Sequence, residues 1–515
     1  MTGKGKTGGL SFRPYLAFIL IPPLILMLFL SVFPFKRAIV SLVYPYQLDY
    51  AEGFLAVEAE QLASGQSIYQ PVEEPPYLVG NYPPVYPLLQ APFFFLFGPS
   101  LLWGRLIVFL STLGIMIMIG FIVWGNSRYI IMAILSPLLF WNTFALHEWI
   151  AYVRVDLPAI CLGLAGLFMI SLNDSRRNRM IALLLFSLSL YTKQIQFFAP
   201  LAACLYLIMK DWKSGLKFTG ILAGIVLGIF IILTLLTRGE YFRHTVTYNA
   251  NIFEWWQVLT WIRHVLRFHF FFVILFVMLL IFYTVGRFKN KKDINSFDLY
   301  FIYAVLGLIS VLAIGKVGAA SNYLLEFYVS AAIFAGLIIG EWIKSIKRNH
   351  KNGLLLFLFY LSVVLLFFHS VRLLTVQRML FSRPNPEKVA LEKGDRLLEI
   401  IKGVEGEVYS EQPVFNLLSG KEVSFQPFIM SELAKEGKWN QEPFLKKLSH
   451  AEYSLIVTGQ DIQKEGFKWQ YTEEMQQAIR QSYRSLYPEG SMWKRLLEHP
   501  AGGIPYYVYV PEEEK

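Results

Sequence analysis

Apolar runs long enough to cross a bilayer recur along this chain up to about residue 373, and then stop. They fall near 15–40, 101–124, 129–146, 150–171, 180–193, 195–210, 217–236, 268–286, 298–314, 327–343 and 354–373, which gives about eleven spans, that at 180–193 being short. Inside hydrocarbon every backbone N–H and C=O must find its partner within the segment, so runs of this length dictate helices. The expected fold class is mainly α: a polytopic membrane protein with a helical domain over 1–373 and a different kind of domain after it. The first run, Tyr15 to Phe35, lacks a small-residue cleavage site and reads as a retained helix. Hydrophobic residues make up 55% of the chain and charged ones 16%, which excludes an ordinary soluble enzyme. The formal charge of +10 is therefore read against the spans, not as a nucleic-acid surface. Cys161 and Cys204 both lie in apolar segments and offer neither a disulfide framework nor a CxxC metal site.

The basic residues set the orientation. With the N-terminus cytoplasmic, the inside segments carry Lys4, Lys6 and Arg13, then Arg128, then Arg176, Arg177 and Arg179, then Lys210, Lys213 and Lys217. Arg287, Lys289, Lys291 and Lys292 follow, and Lys344, Lys347, Arg348 and Lys351 close the series. Every inside loop is basic, as the positive-inside rule requires. The first outer segment, 44–100, has no Lys or Arg. An odd number of spans puts the C-terminal part outside, and the setting is a cytoplasmic (inner) membrane.

Segment 44–100 is more than a loop. Asp49 to Ala63 has helical spacing, and "VYPLLQAPFFFLFG" is apolar but too short and too Pro-broken to span, so it reads as an interfacial helix. The outer loop 237–267 is aromatic and basic. From about 374 to 515 the chain becomes charged and balanced, with "EVYSE", "YSLIVTG" and "PYYVYVP" as strands and Glu387–Lys402 as a helix. That predicts a small extracytoplasmic α/β domain, and no GxGxxG or P-loop marks a nucleotide site in it.

Ionisable groups at the edges of spans are costly and point to function. They cluster on the outer side: Asp49 and Glu52, His147 and Glu148, Arg154 and Asp156, Lys193, then Lys316, Asn322 and Glu326. "DYAE" also fits a capping box, with Asp49 at the N-cap and Glu52 three residues on. A buried pair of acids in one cavity would raise one pKa or else require a cation or a divalent metal nearby. Arg238, Arg243, Arg263, Arg267, Lys193 and Lys316 oppose the positive-inside trend. Arg forks suit a phosphate, and snorkelling to headgroups is the plainer account of any one of them.

Together these stretches resemble the GT-C type of polytopic, lipid-sugar-dependent glycosyltransferases, the group of the protein O-mannosyltransferases and the aminoarabinose transferase of lipid A. The resemblance rests on "LDYAEGFLAVEAEQLASGQSIY", "NYPPVYPLLQAPFFFLFGPSLLWGR", "RVDLPAICLGLAGL", "YTKQ" and "GAASNYLLE", and covers roughly 1–373. It implies that a sugar arrives on a polyprenyl phosphate and that a first-outer-loop carboxylate deprotonates an acceptor hydroxyl on a glycan, lipid or protein. Transfer then inverts the sugar. By position the base is Asp49, with Glu52 second; the "DE" of some members is D-Y-A-E here. The donor and acceptor pocket would be formed by Asp156, Arg154, His147, Glu148, Tyr82, Asn322 and Glu326. Phosphate would be held by Lys193, Arg243, Arg263 and Lys316. Some relatives place a Lys where this chain reads "GNYPP".

Two other classes compete. A polyprenyl-linked glycan polymerase or ligase would favour Arg-rich outer loops such as 238–267. A secondary transporter would show inverted repeats and midplane charges, which the sequence lacks.

Overall fold

The computed structural model describes residues 18–173, 175–289, 293–348, 352–376, 388–466, 468, 470–498 and 504–512. Residues 15–17 of the first apolar run, Lys4, Lys6, Arg13, Lys291, Lys292 and Lys351 of the basic segments, and Glu387 lie outside them.

Each expected run carries a helix. The first is α1 (Ile21–Leu30) and α2 (Val32–Val43), continuous in direction across Ser31. Then come α3 (Glu52–Ala63), α4 (Val85–Phe97), α5 (Leu101–Ser127), α6 (Ile130–Trp141), the short α7 (Phe144–Trp149), α8 (Asp156–Leu172), α9 (Arg176–Thr192), α10 (Phe198–Lys210) and α11 (Trp212–Leu236). The bundle closes with α12 (Trp255–Lys289), α13 (Ser296–Ser310), α14 (Leu325–Arg348) and α15 (Gly353–Thr375). Among the described residues, seven segments are long and apolar enough to cross a bilayer. The protein is a multi-pass membrane protein. Helix α14 is its axis, apolar on every side and almost wholly buried. Close approach there needs small residues: a Cβ on Gly336 would sit 2.0 Å from the Ser136 hydroxyl of α6. Helix α11 is the opposite case, its apolar side chains largely exposed, as suits lipid contact.

The remaining spans are shorter. Helices α6, α8, α9 and α10 have 12, 17, 17 and 13 residues. At about 1.5 Å per residue these fall short of a hydrocarbon core of about 30 Å. Irregular backbone continues them at one common end, 150–155 before α8 and 193–197 between α9 and α10, and the 3₁₀ turns Val311–Gly315 and Ser321–Leu324 flank the link between α13 and α14. Irregular backbone at such depth is tolerated only where protein buries it or a cavity wets it. Arg128, Arg176, Lys210, Arg287 and Lys347 stand at the opposite ends of their helices, away from that cavity.

Beyond α15, α16 (Lys388–Gly403) leads into a four-stranded sheet of β1 (Val408–Ser410), β2 (Leu455–Thr458), β3 (Tyr483–Ser485) and β4 (Tyr507–Pro511), in the order β1-β2-β4-β3. The β1–β2 pair is parallel and the others antiparallel. This part grips the first outer segment. Tyr77 N–H donates to the Ser424 carbonyl at 2.9 Å, and Gln426 N–H to the Tyr77 carbonyl at 3.0 Å. Phe428 N–H donates to the Tyr50 hydroxyl at 3.1 Å, and Val414 N–H to Gln47 Oε1 at 3.0 Å.

Candidate active site

The irregular ends of the short helices, the start of α3 and the N-terminal end of α17 (Pro427–Lys435) enclose a cavity of about 460 Å³. Asp49, Glu58, Asn81, Tyr82, Glu148, Arg154, Asn249, Asn251, Lys316 and Asn322 line it. Tyr50 and Phe428 line it as well.

One buried knot sets its geometry. Arg105 of α5 and Glu52 of α3 are both fully buried. The Arg105 Nε donates to Glu52 Oε1 at 2.9 Å and its Nη2 to Oε2 at 3.0 Å. The other guanidinium hydrogens go to the carbonyls of Ser41, Tyr44 and Tyr46 at 2.6, 2.5 and 2.8 Å. Glu52 also accepts the backbone N–H of Leu48, Asp49 and Val153, at 2.6, 3.2 and 2.8 Å. A carboxylate so fully engaged has no lone pair left for a substrate, so the expectation that Glu52 shares in catalysis is corrected here to a structural role. Only half of the expected capping box forms. The Glu52 side chain reaches back to the Asp49 N–H, whereas Asp49 Oδ1 accepts from Ala51 N–H at 3.0 Å and the helix starts at Glu52.

The knot presents the next residue on each strand. Asp49 follows one bonded N–H and Arg154 follows the other, and the two side chains meet in an ion pair through Asp49 Oδ1. Arg154 lies over the Trp149 ring at 4.8 Å. The Asp49 side chain keeps 22% of its surface exposed, toward the cavity. Among the described residues both of its bonds fall on Oδ1.

A second knot lies behind the first. Asp156 at the start of α8 and Lys193 at the end of α9 form a buried ion pair. Asn322 Nδ2 donates to Asp156 Oδ1 at 2.8 Å, and Lys193 Nζ stands 4.3 Å over the Tyr323 ring. Glu326 is next to them in a small void of about 20 Å³ and accepts from Gln196 Nε2. Glu148 accepts from the Ser321 hydroxyl at 2.6 Å, which in turn accepts from Trp149 Nε1.

Elsewhere in the lining Lys316 Nζ donates to Asn249 Oδ1 at 2.5 Å, and Asn249 Nδ2 donates to the Asn81 carbonyl at 3.1 Å. Burial, and then the charge of Lys193, lowers the Lys316 ammonium to about 8. Burial also raises Glu58 to about 8 and the Tyr82 phenol to about 12.

Seven expected residues do not line the cavity: Glu52, Asp156, Lys193 and Glu326 belong to the two knots beside it, and Arg243, Arg263 and His147 are placed elsewhere. Arg243 lies half-exposed on the helical turns Glu240–Phe242 and Arg243–Thr247, paired to Glu240 at 2.9 Å and reaching Glu73 at 3.7 Å. Arg263 points outward from α12. His147 is buried in α7 and does not line the cavity. The spacing of charges along a sequence says nothing about which face of a helix they take, which is why these were misplaced. Sequence reasoning also missed Arg105 and Glu58. For Arg105 there was a signal: a lone cation inside the apolar run "LLWGRLIVF" must have a buried acid somewhere.

The donor set suits a metal poorly. Among the described residues no three His, Cys, Asp or Glu side chains converge, and the acids Asp49 and Asp156 each already hold a cationic side chain.

Helices, outer segment and sheet together make a multi-pass membrane fold that is also found in solved membrane proteins. Its structure is similar to that of ArnT from Cupriavidus metallidurans bound to undecaprenyl phosphate, with a TM-score of 0.59 and 12% identity, over 97% of this chain and 98% of that one. The apo state of the same protein gives a TM-score of 0.53 at 13% identity, over 94% and 97% of the two chains. The Archaeoglobus fulgidus oligosaccharyltransferase, tethered with an acceptor peptide containing the NVT sequon, gives 0.50 at 11% identity, over 88% of this chain and 70% of that one. At these identities the likeness is one of fold. No protein-family model and no curated protein matches the chain.

Proposed function

We propose that this protein transfers a sugar from a polyprenyl-phosphate donor to an acceptor hydroxyl at the outer face of a cytoplasmic membrane, with Asp49 as the base. The observation that carries this reading is the Asp49 carboxylate, held through Oδ1 and partly exposed, in a cavity that Lys316 also lines. A carboxylate within reach of an acceptor hydroxyl takes its proton as the oxygen attacks the anomeric carbon. The bond from that carbon to the phosphate oxygen breaks on the other side, which inverts the sugar. The departing phosphate needs positive charge rather than a proton, and Lys316 and Arg154 border the same space. Lys193 serves from behind by holding Asp156. The position of the cavity at the end opposite the basic helix termini supports an extracytoplasmic site under the positive-inside rule. The fold shared with a protein bound to undecaprenyl phosphate supports a lipid donor.

The test is Asp49→Asn in the full chain, reconstituted in lipid with undecaprenyl-phosphoryl sugars and reading release of undecaprenyl phosphate. The expected loss is about 10²–10⁴-fold in turnover. Turnover at the wild-type rate would remove Asp49 as the base, and no release from any sugar lipid by the wild type would remove the reaction.

A further inference from the structure

Three acids at and behind the cavity each hold a cation: Asp49 has Arg154, Glu52 has Arg105 and Asp156 has Lys193. Glu58 has no ion pair among the described residues. It sits on α3, is 7% exposed, and lines the cavity. Its Oε2 is buried without a hydrogen-bond partner among the described residues. A carboxyl group placed this way is neither an ion-pair member nor a helix cap. It is a buried polar group without a partner of its own among the described residues, on a side chain that lines a space large enough for a monosaccharide.

We infer that Glu58 is the residue that recognises the transferred sugar, binding a hydroxyl of a neutral sugar ring through its own O–H and C=O. This rests on the sugar-transfer reading above and names its specificity element. The chemistry is complementary. A protonated carboxyl both donates and accepts, as a sugar hydroxyl does. Burial keeps Glu58 protonated at neutral pH. The charged groups that share its cavity are Asp49, Glu148, Arg154 and Lys316. The phenols that line the same cavity are Tyr50, Tyr82 and Tyr323, and Tyr69 is coupled to Glu58 when the acid is ionised.

The experiment compares binding of bare undecaprenyl phosphate with binding of a panel of undecaprenyl-phosphoryl hexoses and pentoses, using the full chain in nanodiscs. Wild type is expected to hold one or more neutral-sugar lipids about tenfold or more tighter than bare lipid phosphate. Glu58→Leu is expected to erase that preference and leave bare lipid affinity unchanged. Glu58→Gln, which keeps a donor and an acceptor, is expected to retain it. Lys316 titrates in the same range, so the pH response is read as a difference. The sugar preference of the wild type falls above about pH 8, and that of Glu58→Gln does not. The inference is overturned if Glu58→Leu keeps the preference, if it weakens both lipids equally, or if wild type prefers no sugar lipid over bare phosphate. If wild type binds no lipid phosphate at all, the sugar-transfer reading itself fails.

Discussion

Glu52 and Arg105 form an ion pair sealed from solvent, and the same carboxylate holds the backbone N–H of Asp49 and of Val153. Two residues 53 apart in the chain thus fix the segments that carry the exposed acid and its partner Arg154. Breaking one side of a fully buried pair leaves an uncompensated charge, at a cost of about 3–5 kcal/mol. Arg105→Met is therefore expected to lower thermal stability strongly in detergent. Arg105→Met combined with Glu52→Leu should cost less than the sum of the two single changes, because no charge is left behind. Additive losses in a thermal-unfolding cycle would show that the pair is not the unit described here.

The second knot is expected to behave differently by position. Asn322 donates to an ionised, buried Asp156, a bond to a charged group worth about 1.5–3 kcal/mol. Asn322→Ala should lower the melting temperature by a corresponding amount, while Asp156→Asn, which strands the buried Lys193 ammonium, should lower it more. The reverse order, measured on the purified variants, would mean that Lys193 relaxes to solvent when its acid is removed.

Much of this architecture could be read from the residues. Hydropathy locates the helices because lipid leaves the backbone no alternative. The short interfacial helix at Val85–Phe97, the helix at 388–403 and three of the four strands also follow from local pattern. Strand β3 did not, because Tyr483–Ser485 is only three residues long and owes its conformation to pairing with β4. At the site, local reasoning found the acids and failed on their partners. "DYAE" reads as a cap from its spacing alone, yet the pairing that decides the role of Glu52 comes from Arg105, which no local window contains. Arg243 and Arg263 carried the right chemistry for a phosphate, and tertiary structure turned them elsewhere.

His244 gives the outer segment a dependence on acid. Gly80 N–H donates to its Nδ1 at 2.9 Å, so the ring is neutral and its Nε2–H donates to the Gln70 carbonyl at 2.8 Å. Burial lowers its titration from 6.5 to about 4. The folded state therefore binds this proton less readily than the unfolded chain. The stabilisation is complete above about pH 6.5 and is lost as pH falls toward about 4. Carboxylates also titrate there, so the measurement is a comparison: the slope of melting temperature against pH over this window should be shallower in His244→Leu than in the wild type. Equal slopes would remove His244 from the acid response.

Lys316 sets the opposite, alkaline limit. Burial, and then the positive charge of Lys193, brings its ammonium down to about 8, and the protonated form is the one that attracts a phosphate. Affinity for bare undecaprenyl phosphate is expected to be constant below about pH 7 and to fall as pH rises through 8 and the ammonium loses its proton. Asn249 Oδ1, which accepts from Nζ, holds the side chain on the cavity wall whichever state it is in. An Arg at this position stays charged throughout that range, because a guanidinium does not titrate in it. Lys316→Arg should therefore bind the lipid phosphate with the alkaline fall removed, and Lys316→Gln should bind weakly, about tenfold or more below the wild type at pH 7, with no fall to lose. A wild-type affinity that is flat from pH 7 to 10, or an unchanged fall in Lys316→Arg, would assign the phosphate to a different cation of the cavity, of which Arg154 is the one in place.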